Sequence, residues 1–365
     1  METGHSDAYL IALANCPVFG FATLQILAAH FADNQTAWNA TREELLSLNL
    51  PEHRADDFIA YRNSTDPHAV VELLEKHSII TITKDHPHYP PLLKTIFDPP
   101  YLLFAKGDTS ILTKKCVAMV GSRRLTDYGK TVAFNFAKRI AEEGIVIVSG
   151  LAEGIDSAAH TGALEGGLTA AILGCGLLHR QSRTQEELKE HILLKGGVIV
   201  SEFPLKAPGL KFHFPLRNRI VAGMSEASAI IEADLPSGSL ITAKASLEAG
   251  REVFALPGPI NSATSRGTNW LLKEGAHVLT EPEDILSLLG VERADRGTGR
   301  MANTYEPKNE LESKILMILE KGERHIDDII TESLETPAVI GSALMTLEIE
   351  GAVKNRGGMR YALGG

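Results

Sequence analysis

Residues 115–150, KCVAMVGSRRLTDYGKTVAFNFAKRIAEEGIVIVSG, read as strand, glycine turn, helix and strand. CVAMVG and IVIVSG are short apolar runs rich in Val, Ile and Ala, and a helical pattern of apolar residues separates them. Two such runs joined by a helix form a βαβ unit, since neighbouring parallel strands need a long crossover and become buried on both faces. Outward from this stretch the pattern repeats through TAAILGCG, GVIVSEFP, ASAIIEAD, EVFALPG and AHVLT. Six or seven strands are expected, in an α/β, doubly wound parallel sheet over residues 115–290.

The flanks differ. Residues 1–84 place apolar residues at helical spacing in 9–14, 23–31, 42–48, 55–61 and 67–77, and predict a small helical domain. Its segment CPVFGFATLQIL looks like a degenerate helix-hairpin-helix; with Gly20 alone and no basic residue close behind, a packing hairpin is the better reading. Residues 85–114 are Pro-rich and read as a connecting segment. Residues 291–307 are polar and nonperiodic, as a linker is. Residues 308–365 give three helical patterns and the hairpin AVKNRGGMRYAL, the order of a winged helix.

The chain has 365 residues, 36 basic and 46 acidic side chains, and a net charge of −10, which excludes a protein that coats nucleic acid indiscriminately. By region the difference is 7 − 13 = −6 over residues 1–106, 19 − 20 = −1 over 107–290 and 10 − 13 = −3 over 291–365, so the sheet region is nearly neutral. Cys16, Cys116 and Cys175 are too far apart for a zinc site or a disulfide framework, which fits a reducing, cytoplasmic setting. Residues 8–32 lack charge, but Pro17 and Gly20 break them and acids precede them, so neither a membrane span nor a signal sequence is expected.

In an open parallel sheet ligands bind beyond the carboxyl ends of the strands. Five loops there carry glycines and small donors. The first holds Gly121, Ser122 and Arg123, the last a planar fork that matches phosphate. The second holds Ser149 and Gly150, the third GCG, and the fifth Gly238, Ser239 and Thr242 at a helix N-terminus. The fourth interleaves Lys211, Arg217 and Arg219 with Phe212, His213 and Phe214, with no acid from Leu205 to Ala222. Cations for phosphates beside aromatic faces for bases suit a single strand, where stacking contributes about 1–3 kcal/mol per base. A purely structural alternative packs Phe212 and Phe214 in the core and pairs one arginine with Glu202.

Other chemistries fit poorly. YGKT resembles the end of a phosphate-binding loop, but Arg124 stands where its first glycine belongs. GCG lacks the third glycine of a dinucleotide fingerprint, and there is no GxSxG or HExxH. Asp156 and His160 read as a helix-capping acid and a packed histidine rather than an acid–base pair. Glu202 and Glu232 are the other carboxylates placed near the cleft. No catalytic residue, cofactor or metal site is expected.

VAMVGSRRLTDYG, SGLAEGIDSAAHTGALEGGLTAAILGCG, SEFP, FPLRNRIVAGMS, EADLPSGSLITAKASLEAGREVFALPG and SRGTNWLLKEGA together resemble the DNA-processing protein A family, DprA or Smf, through most of residues 85–290. The resemblance implies an extended Rossmann-like sheet with an N-terminal SAM/helix-hairpin-helix-like domain and a C-terminal winged helix. It further implies a dimeric, non-enzymatic protein that binds and protects incoming single-stranded DNA during natural transformation. Such a protein loads the RecA recombinase in place of single-strand binding protein. Gly121, Ser122 and Arg123 match the family's GSR loop, and Phe214, Arg217, Asn218 and Arg219 match its FPxRNR segment, both associated with DNA binding.

The sequence departs from the family after GCG, where LLHRQSRTQEEL replaces an Asp, a Tyr-Pro and an Asn; Arg180 and Arg183 are candidates to take over the DNA-binding role of that segment. The last winged-helix helix, PAVIGSALMTLEIEG, has no basic residue and carries Glu348 and Glu350, which predicts a protein-contact module. Lys354, Arg356 and Arg360 are then the DNA contacts open to the wing. A competing reading is a nucleotide-processing hydrolase on a related sheet, although PSGSLIT lacks the glutamate that follows the PGGxGT loop of phosphoribohydrolases.

Overall fold

The computed structural model describes residues 7–291 and 307–363, except 321 and 351. The chain forms two units that divide between Glu292 and Arg293. Most of the expected linker, residues 291–307, lies outside the described residues.

All seven apolar runs become strands: β3 (Cys116–Val120), β4 (Val146–Ser149), β5 (Thr169–Ile172), β6 (Val198–Ser201), β7 (Ala227–Ile230), β8 (Glu252–Ala255) and β9 (His277–Val278). They are parallel. Two strands precede them, β1 (Ile80–Thr83) and β2 (Leu102–Gly107), and extend the sheet to the order β1-β2-β6-β5-β4-β3-β7-β8-β9. Both pairings they add are antiparallel. The segment read as a plain connection, residues 85–114, therefore supplies β2, and the end of the stretch read as purely helical, residues 1–84, supplies β1. No helical crossover separates ITIT from LLFAKG, and prolines surround them, so the repeat that marks the other strands does not reach them.

Alternation along the buried strands divides the core. Cys116, Ala118 and Val120 pack on one face with Val148 and Ile172; Val117, Met119 and Ile147 pack on the other with Ala133, Ala137, Ala158 and Ala159. The second set belongs to helices α7 (Asp127–Glu142) and α8 (Ile155–Gly166), which follow β3 and β4. Each fully buried Val, Ile or Met contributes roughly 1.5–3 kcal/mol. The connections run from β3 outward through β4, β5 and β6, then return to place β7 on the other side of β3. The switch point, where a crevice opens beyond the strand ends, is therefore at β3 and β7.

Residues before the sheet form six helices: α1 (Ala8–Ala14), α2 (Phe21–His30), α3 (Asn34–Trp38), α4 (Arg42–Ser47), α5 (Glu52–Ser64) and α6 (Pro67–Lys76). The uncharged stretch 8–32 is thus two short helices, and no helix among the described residues is long and apolar enough to cross a membrane. Cys16 and Phe19, in the turn before α2, are buried, and Phe19 lies 4.5 Å from Phe58 between ring centroids. The hairpin is packed into its own core. Strand β2 joins the two regions: Leu102 and Phe104 enter the helical core while Leu103 and Ala105 enter the sheet core.

The second unit contains α14 (Glu310–Glu320), β10 (Arg324–His325), α15 (Ile326–Ser333), α16 (Pro337–Ile349), β11 (Val353–Gly357) and β12 (Arg360–Leu363), after α9 (Arg183–Leu194), α10 (His213–Gly223), α11 (Gly238–Glu248), α12 (Ala263–Lys273) and α13 (Pro282–Leu288) of the first. Its sheet order is β10-β12-β11, the wing of a winged helix.

Candidate nucleic-acid interface

A groove crosses the carboxyl ends of β3, β4 and β7 at the switch point. It is lined by Gly121, Ser122, Arg123, Gly150, Lys211, Phe214, Arg217, Asn218, Gly238, Ser239 and Thr242, every expected site residue except Ser149 and Arg219. Arg123 and Lys211 are exposed, and the Arg123 guanidinium lies 5.1 Å from the Phe214 ring centroid. A cation and a half-buried aromatic face thus stand side by side, where a phosphate and a base of one strand would fall.

Beneath them is a rigid floor. Arg217 is buried, and its Nη1 donates to the carbonyl of Gly150 at 2.6 Å and to that of Ile172. The Gly150 N–H in turn donates to Asp156 Oδ2 at 3.1 Å, so one residue links the two buried charges. Burial raises the Asp156 carboxyl above the ordinary range, while the Arg217 charge and backbone N–H groups pull it down. Burial likewise lowers the Arg217 guanidinium, with Asp156 opposing. A Cβ on Gly150 would stand 2.4 Å from the guanidinium, so only glycine admits this arginine. Asn218 accepts from Arg217 Nε at 3.1 Å and donates to the Gly238 carbonyl at 3.2 Å, joining α10 to the start of α11. There Ser237 caps the helix by accepting from the Ser239 N–H, and its carbonyl accepts from the Leu240 N–H at 3.2 Å.

Two expected contacts lie elsewhere. Ser149 is fully buried and donates to the Met119 carbonyl at 2.6 Å. Arg219 points away from the groove: its Nη2 bonds Glu202 at 2.6 and 2.7 Å, its Nε pairs with Asp98 at 3.0 Å, and its guanidinium covers Phe21 at 5.5 Å. It fastens helix α10 to the helical region. Of the structural alternatives, the arginine pairing with Glu202 is thus realised, whereas Phe212 is 61% exposed and Phe214 faces the groove.

The carboxylates are used structurally. Glu232 is buried and accepts from the Thr126 N–H at 3.0 Å and the Thr126 hydroxyl at 2.6 Å, holding the first turn of α7. Gly129, the glycine of YGKT, is there because a Cβ would stand 2.4 Å from that carboxyl carbon. His160 is buried and shares a 2.7 Å hydrogen bond with Thr169, whose hydroxyl donates to the Ile147 carbonyl. His160 Nδ1 is therefore the donor, and burial keeps the ring neutral, its pKa pushed down to about 3.

Arg124, Ala152, Asp234 and Thr264 also line the groove, and Asp234 is paired with Arg266 at 2.6 Å. Sequence reasoning missed them, although Arg124, Ala152 and Asp234 lie in strand-end loops it had singled out; Thr264 comes from the start of α12, after β8, a loop it had passed over. In the divergent loop, Arg183 is 90% exposed and bonds Glu187 at 2.7 Å along its own helix. His179, Gln181 and Gln185 line a side cavity there instead.

Known proteins share this architecture. The model of the family described as DNA recombination-mediator protein A matches residues 80–290, and that of the DprA winged helix domain matches 300–359. Protein Smf of Escherichia coli is 41% identical over 262 residues, which cover 72% of this chain and 69% of that protein. An X-ray structure of DNA processing protein A from Streptococcus pneumoniae aligns with a TM-score of 0.66 at 32% identity, covering 78% of this chain and 98% of that one. A structure of DNA processing protein A from Helicobacter pylori, described as giving insight into a unique single-stranded DNA binding mode, aligns with a TM-score of 0.53 at 32% identity, covering 58% and 95%. The chain belongs to the DNA recombination-mediator protein A family.

Proposed function

We propose that this protein binds single-stranded DNA along the switch-point groove, protects incoming strands during natural transformation and loads RecA onto them. The observation that carries the reading is the Arg123–Phe214 pair, a cation and an aromatic face 5.1 Å apart above a floor that charge and hydrogen bonds hold in place. A single strand presents phosphates and unstacked bases at that spacing, whereas a duplex hides its base faces. The Helicobacter pylori relative, described by its single-stranded DNA binding, supports the same ligand here.

In this reading the groove binds without chemistry: Glu232 and Glu202 are engaged by Thr126 and Arg219, and Asp156 by backbone N–H groups. The protein works as a cytoplasmic homodimer with RecA and single-strand binding protein as partners. The winged helix serves protein contact, because Val339 and Met345 are exposed on α16 where a duplex-reading helix carries basic side chains.

The test is RecA filament formation on a single strand already coated with single-strand binding protein. The protein is expected to shorten the lag, and Arg123→Ala to lose that effect. An unchanged lag with the wild-type protein contradicts the loading role.

A further inference from the structure

Residues 202–212 join β6 to α10 and carry Lys211 to the lip of the groove. The segment has no strand or helix of its own, and Leu205 alone among its residues is buried. That side chain enters the core of the helical region, with Leu13, Phe58 and Leu74. Leu177 and Leu178, which follow GCG in the third loop, pack against the same core. Two loops that leave the sheet are thus rooted in the helical region.

One side chain fixes the backbone at that root. Asn15 ends α1; its Oδ1 accepts from the Leu205 N–H at 2.9 Å, and its Nδ2 donates to the Tyr61 hydroxyl at 3.2 Å. The Tyr61 hydroxyl donates in turn to the Ala12 carbonyl at 3.3 Å, so α1 and α5 hold the amide from behind. On the other side of Leu205 the two loops are joined through backbone. The Leu205 carbonyl accepts from the Leu178 N–H at 2.7 Å, and the Ala207 carbonyl accepts from the Gly176 N–H at 2.9 Å. A Cβ on Gly176 would collide with the Pro204 and Leu205 carbonyls, so the close approach requires glycine. Beyond them His213 donates from Nδ1 to the Pro208 carbonyl at 3.1 Å and stacks on Phe203, with ring centroids 4.1 Å apart. The segment is thereby closed onto the first turn of α10. A loop released at its root leaves the Leu205 N–H without its acceptor and must be ordered again whenever a strand binds.

We infer that the helical region is a buttress of the DNA groove, and that Asn15 is the positioning residue through which it presents Lys211 to the strand. The inference rests on the groove binding single strands, which the wild-type titration tests separately. In the full chain, Asn15→Leu removes both hydrogen bonds while keeping a branched side chain, and Tyr61→Phe removes only the hydroxyl behind them. Single-strand affinity, amide hydrogen exchange and melting temperature are measured for each. Asn15→Leu is expected to bind roughly 5-fold or more weakly than the wild-type protein at a temperature where both are folded, with faster exchange at the Leu178, Leu205 and Ala207 amides. Tyr61→Phe is expected to move both readings the same way by less, and it decides the matter if Asn15→Leu does not fold. Asn15→Asp keeps an acceptor for the Leu205 N–H and is expected to recover the lost affinity at high salt, where its added charge is screened. A lowered melting temperature with wild-type affinity, or weakened binding without faster exchange in the two loops, overturns the buttress and leaves the groove standing. Absence of binding by the wild-type protein overturns the groove reading itself.

Discussion

Arg217 and Arg219 occupy one helix and one sequence motif, yet they do different work. In a helix, residues two apart point about 200° away from each other, so when Arg217 lies under the groove, Arg219 must face the opposite side. Replacing Arg219 with Ala leaves Glu202, whose side chain is 12% exposed, without its main partner. This is expected to cost roughly 3–5 kcal/mol in denaturant unfolding, while the slope of DNA affinity against salt stays at the wild-type value. A shallower slope would return Arg219 to the DNA. His160 gives a second residue-level expectation. The folded protein keeps it neutral down to about pH 3, whereas the unfolded chain protonates it near its ordinary ~6.5. Its contribution is therefore fully present above ~6.5 and falls away as pH drops from there toward 3, by at most ~1.4 kcal/mol per pH unit. His160→Asn, which retains a donor for Thr169, is expected to flatten the fall in stability between about pH 6.5 and 5, as read from thermal or denaturant midpoints. An equal pH dependence in both proteins contradicts this.

At the scale of elements, the strand–turn–helix repeat was readable because each buried strand is a short apolar run and each crossover is a long periodic one. Strands β1 and β2 escaped because they pair antiparallel without a crossover, so only the three-dimensional sheet reveals them. The site followed the same division. Loops at strand ends can be found by their glycines, and their residues do converge on the groove. Whether Ser149, Arg217 or Arg219 faces ligand, floor or neighbouring helix depends on strand and helix phase, which the motif leaves out. The first turn of α7 offers a test in which local preference and packing oppose each other. Helix propensity alone says Gly129→Ala should stabilise by about 1 kcal/mol. Here the added Cβ would meet the Glu232 carboxylate that holds Thr126, so destabilisation is expected, by about 1 kcal/mol or more. A raised melting temperature would contradict this placement of Glu232.

For the whole molecule, the net charge of −10 divides unevenly, and the groove gathers Arg123, Arg124 and Lys211 on a sheet region that is close to neutral. The acidic flanks would repel DNA outside that path. Because α16 presents no basic side chain, a chain ending before residue 306 is expected to keep single-strand affinity within a few-fold, and a large drop would place DNA contacts on the wing. The central claim is that phosphates meet Arg123 in the groove. The most direct measurement is a single-strand binding titration at two salt concentrations for the wild-type protein and Arg123→Ala. The account predicts affinity that falls as salt rises, and for the variant weaker binding with a slope shallower by about 0.7 for each phosphate no longer neutralised. Binding indifferent to salt, or equal in both proteins, would contradict it.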